Sequence, residues 1–249
     1  MINLKSPEEI KRMRAAALIA AAAMDKVIAA VKDGVTTEEL DEIAYHYIVG
    51  RGAKPSFKGY GGFPGTACIS VNEQIVHGIP GKRRLHEGDI VSIDLGAYLH
   101  GYHSDMARTV GVGKISAEAE MLIRGTQDSF FQGIEQAVAG NRIGDIGKAV
   151  EAHAKEYGLG VVREYIGHGL GQELHEDPEV PNYDTGRKGP VMRPGLVIAV
   201  EPMLTLGTHK VVVAPDGWVA STKDGSLSAH YENTIVINEN GPCSILTIA

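Results

Sequence analysis

Two aspartates near the middle of the chain have the side-chain type and the spacing to hold a cation. Asp94 ends an apolar run, and Asp105 follows eleven positions later. The dipeptide His100-Gly101 between them favours a tight turn, so the flanking segments can pair as antiparallel strands. Both carboxylates could then reach one site, where they would repel each other unless a cation lay between them. One exposed acid and one turn acid is the alternative, and the hairpin alone does not decide between the two.

Three other segments carry side chains that commonly bind metals. His168 stands between two glycines, which let backbone and ligand approach closely. Glu201 is followed by proline and is therefore held in extended backbone, and Glu232 enters the last strand-like run. With the two aspartates, these residues suit manganese, iron(II), cobalt or zinc. Four carboxylates balance the charge of two divalent ions, and such a pair can activate a hydroxide and polarise a carbonyl.

Motifs for several other mechanisms are missing from the sequence. His175-Glu176-Asp177-Pro178 lacks the second histidine of the zinc-protease helix motif. There is no G-x-S-x-G elbow and no phosphate loop that ends in Gly-Lys-Ser/Thr. A two-metal phosphatase or nuclease remains an alternative, although its anionic substrate would require basic groups and the motifs contain only Arg108.

The composition favours one globular domain and excludes some classes of partner. The chain has 249 residues, of which 43% are hydrophobic, and shows no linker-like segment. A net charge of −7 argues against nucleic acid as the main partner. Cys68 and Cys243 can form one disulfide at most, which favours a reducing compartment. No apolar run has the length of a membrane span, so we expect a cytoplasmic protein without a membrane partner.

Periodicity and capping patterns predict an α+β fold in which many strands are antiparallel neighbours. The expected helices cover about residues 7–31, 37–51, 116–139 and 144–157. The expected strands cover 66–71, 90–99, 102–112, 161–166, 196–202, 210–214 and 231–237. The first helix follows basic residues and is alanine-rich, as a secretory signal can be. Ser6-Pro7-Glu8-Glu9, however, is a typical helix start, so we expect a packed helix.

A faint internal repeat relates the two halves of the chain. In each half a helix and a glycine-rich stretch precede an apolar run that ends in an acid. Asp94 follows Gly88 by six residues, and Glu201 follows Gly195 by six residues. Chance could produce this pattern, but it favours two related halves that supply acids to one centre.

These motifs together resemble the methionine aminopeptidases. The resemblance rests on the ligand order and on Cys68-Ile69-Ser70-Val71-Asn72-Glu73, His77-Gly78-Ile79-Pro80, Gly167-His168-Gly169, Glu201-Pro202 and Tyr231-Glu232-Asn233-Thr234. It extends from about residue 5 to the C terminus and is similar to the short bacterial type I form. It implies the pita-bread fold, a single catalytic domain over 1–249. Two pseudo-twofold α/β halves, approximately 1–113 and 114–249, would enclose a dinuclear metal site.

The resemblance also implies a role for each motif residue. The metal ligands would be Asp94, Asp105, His168, Glu201 and Glu232. A metal-bridging hydroxide would attack the carbonyl after the first residue, and Glu201 would also shuttle the proton. His77 and His175 would bind the scissile peptide and the developing oxyanion. His230, two residues before Glu232, could line the site, whereas His100 and His103 are expected to be exposed.

An apolar pocket for a methionine side chain is implied at matching positions. Its residues would be Phe57, Tyr60, Phe63, Cys68 and Trp218. Phe57 stands where many members have cysteine, and Leu174 stands where some have phenylalanine; both changes keep the pocket apolar, so they bear on fine selectivity and not on the reaction. Without the resemblance, plain core packing would be the favoured interpretation of these aromatic residues.

The implied activity is removal of the initiator methionine from proteins and peptides, preferentially when the second residue is small. The cofactors would be two divalent ions: manganese, cobalt, iron(II) or zinc. The partners would be N-termini of nascent chains and, by the same resemblance, the ribosome, and the enzyme would act as a monomer. The alternatives are an X-Pro aminopeptidase or dipeptidase of the same fold, and a pita-bread binding protein without catalysis.

Overall fold

Four helices and a central antiparallel sheet make up most of the computed structural model, which describes residues 2–248. The helices are α1 (Pro7–Ala30), α2 (Thr37–Gly50), α3 (Ala117–Ile134) and α4 (Ile143–Glu156). At the start of α1, the Ser6 hydroxyl accepts from the Glu9 amide and the Glu9 carboxylate accepts from the Ser6 amide. Met13, Met24 and Val27 of α1 are buried, which confirms a packed helix at this position.

The strands are short, and most pair only with antiparallel neighbours. They are β1 (Lys54–Pro55), β2 (Ala67–Val71), β3 (Gln74–Val76), β4 (Ile90–Leu95), β5 (Ala97–Leu99), β6 (Tyr102–His103), β7 (Met106–Gly111), β8 (Gly160–Val161), β9 (Gly167–Gly169), β10 (Glu176–Val180), β11 (Val197–Val200), β12 (Met203–Thr205), β13 (Val211–Val213), β14 (Ala220–Thr222), β15 (Ser228–His230), β16 (Glu232–Val236) and β17 (Ser244–Ile245). The central sheet has the order β10-β9-β11-β16-β7-β4-β2, with β17 beside β16.

The pairing of β16 with β7 joins the two related parts of the sheet. β4 pairs with β7 on one side of this junction, and β11 pairs with β16 on the other. One main hydrophobic cluster packs α1 and α2 against β4, and a second packs α4 against β11. The side chain of Ile93 belongs to the first cluster. Because neighbouring strand residues point to opposite faces, Asp94 is directed away from that cluster.

Four sequence-based element predictions, one helix and three strands, are wrong in their extent. The helix predicted to 139 ends at Ile134, where the chain turns so that Gly140 can donate to Met192. Of the predicted strand 161–166, only Val161 is in a strand. The long strands 90–99 and 102–112 are each interrupted, because β5 and β6 leave the central sheet to form a separate sheet with β1.

The hairpin turn predicted at His100-Gly101 is confirmed. Both residues have positive φ, 51° and 89°, and they connect β5 to β6. Cys68 and Cys243 are both free. Within residues 2–248, no helix combines the length and the apolar character that crossing a membrane requires.

Candidate active site

A row of residues across the central sheet forms the floor of the site. Asp94 of β4 and Glu232 of β16 lie opposite Ala107 of β7, one on each side. Residues directly opposite each other in an antiparallel sheet point to the same face. The two carboxylates therefore converge above the small side chain of Ala107. Asp105 precedes Ala107 by two residues and so points to the same face.

His168 and Glu201 complete the cluster from the other half of the chain. His168 Nε2 lies 3.8 Å from Asp105 Oδ2 and 3.6 Å from Glu201 Oε1. One ligand atom from each of Asp105, His168 and Glu232 lies within 4.8 Å of the other two. His168 Nδ1 is 2.9 Å from the carbonyl oxygen of Gly169 and must donate to it. The neutral imidazole therefore has an unprotonated Nε2, which is the form that binds a metal.

The cluster has buried acceptors that the described chain does not satisfy. Asp94 Oδ1, Asp105 Oδ1 and Glu232 Oε1 are inaccessible and have no hydrogen-bond partner within residues 2–248. Unpaired buried carboxylates are costly. Carboxylate oxygens with one imidazole nitrogen are a ligand set for hard or borderline divalent ions. The residues present therefore fit a divalent-metal centre.

Burial and mutual repulsion shift the pKa values of these side chains. Burial raises the pKa of Asp94 to about 7. The pKa values of Asp105, Glu201 and Glu232 are raised well above their ordinary range. Burial is the largest cause, and repulsion from neighbouring carboxylates is the second. Burial lowers the pKa of His168 to about 3. Without a cation, the cluster thus favours protonated acids and a neutral imidazole.

His77 and His175 lie at the same cavity but outside the carboxylate cluster. The ring of His175 is 4.2 Å from that of His168, and its Nδ1 is 2.7 Å from Tyr60 Oη. His77 packs edge-on against Tyr165 at 5.2 Å. His77 also has a left-handed backbone, with φ of 61°. Such a conformation in a residue other than glycine is strained and often occurs at functional sites.

An apolar cavity of about 290 Å³ opens above the cluster. The residues predicted for the pocket all line it, namely Phe57, Tyr60, Phe63, Cys68 and Trp218. The rings of Phe63 and Trp218 meet edge to face at 5.2 Å. The five predicted ligands and both predicted histidines line the same cavity. The structure thus brings together every residue that the sequence assigned to the site.

Other residues of this cavity, and the burial of one histidine, were not predicted from the sequence. Val76, Tyr165 and Ile166 also line the cavity. The sequence signal that could have found them is their position: Val76 precedes the motif that begins at His77, and Tyr165 and Ile166 precede the motif that begins at Gly167. His103, expected to be exposed, is half-buried, with Nδ1 3.0 Å from Ser56 Oγ.

His230 lies beneath the cluster and is fully enclosed. Its Nε2 is 3.9 Å from Glu201 Oε2 and 3.9 Å from Glu232 Oε2. Neither ring nitrogen has a hydrogen-bond partner in the described part of the chain. Burial lowers its pKa to about 3, so the ring is neutral at ordinary pH.

Arg108 is turned away from the carboxylates. Its guanidinium donates to the Glu232 carbonyl oxygen and to Asn233 Oδ1, and it lies 4.2 Å above the ring of Tyr231. Arg108 follows Ala107 and therefore points to the opposite face of β7. The cavity, as residues 2–248 form it, thus lacks the basic side chain that would bind the anionic substrate of a phosphatase or nuclease. This disfavours that alternative.

Comparison with known proteins gives consistent matches over the whole chain. The model of metallopeptidase family M24 matches residues 11–239. A methionine aminopeptidase from Clostridium acetobutylicum is 51% identical, over 100% of this chain and 99% of the relative. Methionine aminopeptidase 1 from Bacillus subtilis is 47% identical, over 97% of each chain.

Solved structures give the same result. The methionine aminopeptidase from Thermotoga maritima superimposes with a TM-score of 0.97 at 42% identity, over all of both chains. The prolidase from Pyrococcus furiosus gives a TM-score of 0.78 at 27% identity, over 99% of this chain and 65% of the prolidase.

Proposed function

The chain belongs to metallopeptidase family M24 and, within it, to the methionine aminopeptidases, and from this premise we propose that it releases the N-terminal methionine of proteins and peptides. The fold is accordingly the pita-bread fold. The observation that carries the proposal is the position of a buried cluster of four carboxylates and one histidine at the floor of an apolar, aromatic cavity.

The metal centre would be held by the five clustered residues Asp94, Asp105, His168, Glu201 and Glu232. We propose two divalent ions, because two such ions balance four ionised carboxylates. The ligand set accommodates manganese, cobalt, iron(II) or zinc. Bound there, the ions would polarise the scissile carbonyl and lower the pKa of a water molecule.

Proton transfer is assigned to Glu201. Its side chain lines the cavity, with Oε1 3.6 Å from His168 Nε2. A carboxylate that reaches both the attacking water and the scissile bond can act first as a general base and then as a general acid. Glu201 would accept a proton from the attacking water and deliver it to the amine of the departing peptide. Because Glu201 would also be a ligand, its replacement must be judged together with metal content.

His77 and His175 are assigned to the scissile peptide. The Tyr60 hydroxyl can donate to His175 Nδ1, which leaves the proton of the neutral imidazole on Nε2. His175 can then donate to a developing oxyanion. Burial lowers the pKa of His77, and partial desolvation at the cavity mouth lowers that of His175, so both imidazoles are neutral near pH 7.

Selectivity for methionine would come from the size and chemistry of the cavity. Phe63, Cys68 and Trp218 provide an apolar, polarisable wall. Contacts of a thioether with aromatic rings are worth about 0.3–1.5 kcal/mol each. We also propose a preference for a small second residue, since that residue would lie at the mouth occupied by Tyr60 and His175.

The proposal is tested with two peptides, Met-Ala-Ser and Ala-Pro-Ser. The enzyme is stripped with a chelator, and manganese, cobalt, iron(II) or zinc is restored separately before release of the first residue is followed. We expect metal-dependent release of methionine from the first peptide alone. Release from Ala-Pro-Ser would instead indicate the X-Pro alternative. No release from either peptide, with metal demonstrably bound, would indicate a binding protein that lacks catalysis.

A further inference from the structure

Lys5 is a buried lysine in the extended segment that precedes α1. The residue is only 5% exposed, although lysine side chains normally reach water. Its ammonium donates to a carboxylate oxygen of Glu176 and to the Asn3 carbonyl oxygen at 3.0 Å. Glu176 is also largely enclosed, with 13% of its side chain exposed. This buried ion pair joins residues 171 positions apart in the chain.

The surrounding backbone is shaped to accommodate this pair. The Lys5 amide donates to the Gly195 carbonyl oxygen at 2.7 Å. A Cβ atom on Gly171 would lie 2.4 Å from Lys5 Cε and 2.6 Å from Glu176 Oε1. Gly195 has a φ of +84°, and a Cβ there would lie 2.5 Å from the Lys5 carbonyl oxygen. The absence of a Cβ atom at Gly171 therefore leaves room for the Lys5 side chain, and its absence at Gly195 leaves room for the Lys5 backbone.

Glu176 connects the ion pair to the proposed catalytic histidine. It follows His175 directly and begins β10, where it pairs with Gly169 beside His168. Its second carboxylate oxygen accepts from the Glu173 amide at 3.3 Å. Residues 170–175 connect β9, which contains His168, to β10, and His175 is the last residue of this connection. The Glu176 carboxylate, which Lys5 neutralises, therefore fixes the end of the connection at which His175 lies.

The remaining support of His175 is weaker. Two rings contact it: that of His168 at 4.2 Å on the inner side, and that of Tyr60, which is 44% exposed and lies in the glycine-rich turn Tyr60–Gly62. His175 is itself exposed at the cavity mouth. A ring in this position depends on its backbone for placement more than a ring enclosed on all sides does.

We propose that Lys5 is a positioning residue for the reaction, which acts through Glu176 to place His175 over the scissile peptide. This inference rests on the proposed aminopeptidase function. Lys5 touches neither substrate nor metal. Its loss would leave a buried carboxylate without its partner, and the segment 170–176 would shift to hydrate it. A displacement of about 1 Å in a catalytic group can reduce turnover by up to about a hundredfold.

The test compares Lys5→Met with Lys11→Met, which removes an exposed lysine from α1. For Lys5→Met with Met-Ala-Ser, we expect kcat to fall about tenfold or more while KM changes less than about threefold. Bound metal should equal that of the unmodified enzyme. Lys11→Met should leave all three quantities unchanged. An unchanged kcat in Lys5→Met, or a loss explained by lower metal content, would overturn the proposal.

A double-variant cycle with His175→Ala separates positioning from general stability. If Lys5 acts through His175, Lys5→Met should lower kcat little further once His175 is absent. Losses that multiply would show that Lys5 acts by another route. Should Lys5→Met fail to fold, Glu176→Gln provides the same cycle, because Gln retains the acceptor for the Glu173 amide.

Hydrogen exchange gives a readout that does not need an active enzyme. Amides of residues 170–176 should exchange faster in Lys5→Met than in Lys11→Met, while those of α2 should not. Unchanged exchange in 170–176 would refute the mechanical link. An unmodified enzyme that does not release methionine would refute the proposed function, and the exchange result would still test the link.

Discussion

The metal-free protein should lose stability as the pH rises above 7, because its site retains protons that the unfolded chain releases. Burial raises the pKa values of Asp105, Glu201 and Glu232 well above their ordinary range. A group with a raised native pKa stabilises the fold at low pH, and this stability disappears as the pH passes through the native value. In the unfolded chain the same carboxyl groups are fully ionised at pH 7.

The size of the effect follows from the number of retained protons. Each proton that the native cluster holds and the unfolded chain has released lowers the free energy of unfolding by about 1.4 kcal/mol for every unit by which the pH rises. One carboxyl group that keeps its proton from pH 7 to 8 therefore lowers the unfolding free energy by about 1.4 kcal/mol over that interval. For a chain of this size, this value corresponds to a fall in melting temperature of about 3–6 °C.

The histidines with lowered pKa values do not contribute to the slope between pH 7 and 8. Burial lowers the pKa values of His168 and His230 to about 3 and that of His103 to about 4. Such groups destabilise the native state only where the unfolded histidines are protonated, below about pH 6.5. Above pH 7 these three imidazoles are neutral in the native state. Burial also raises the pKa values of the Cys68 and Cys243 thiols, but below pH 8 only a minor fraction of unfolded thiols ionises, so the carboxylates dominate the slope.

The assay is urea or thermal unfolding followed by circular dichroism at pH 7.0, 7.5 and 8.0, with chelator or with saturating manganese. Manganese should abolish the slope, because metal-bound carboxylates are ionised in both states. Asp105→Asn removes one acid and should make the metal-free protein more stable than the unmodified one at pH 8. A metal-free stability that is constant or rises from pH 7 to 8 would refute the argument that these acids are buried and protonated.

Three further changes test individual contacts of the site. Tyr60→Phe removes a half-exposed hydrogen bond to His175 that is worth about 0.5–1.5 kcal/mol. We expect kcat to fall about two- to tenfold with little change in KM. An unaltered kcat would show that Tyr60 lines the pocket but does not support His175 in the reaction. Trp218→Leu should narrow the kcat/KM preference for methionyl over norleucyl peptides, because a ring that favours sulfur is lost; an unchanged ratio would place selectivity elsewhere. Glu201→Gln should lose most turnover with the fold intact by circular dichroism, and near-normal activity at matched metal content would remove Glu201 from the mechanism.

The site was more predictable from the sequence than the fold around it. Asp94 and His168 are conspicuous because their side chains can bind metals and their neighbours are apolar or glycine, and Asp105 is conspicuous because a predicted hairpin brings it near Asp94. The tight turn at His100-Gly101 has a local signal, and the structure confirms it. The spacing of Gly88 to Asp94 and of Gly195 to Glu201 likewise corresponds to two strands, β4 and β11, that bring their acids to one cavity.

What the sequence did not predict depends on contacts between distant residues. Strands such as β12 and β15 have three residues each, too few for alternation to be recognised. Lys5 looks like any solvated lysine until Glu176 is placed beside it. His103 was misjudged for the same reason, because Ser56, which hydrogen-bonds to its ring, lies 47 positions earlier in the chain.

The central claim is that the carboxylate–histidine cluster binds the metal on which methionine release depends. The most direct test titrates the chelator-stripped protein with manganese and measures bound ion and methionine release from Met-Ala-Ser on the same samples. We expect release to rise with the bound ion, and both to be lost together in the double variant Asp105→Asn, Glu232→Gln. Methionine release from fully stripped protein, or from a variant that no longer binds the ion, would contradict the account.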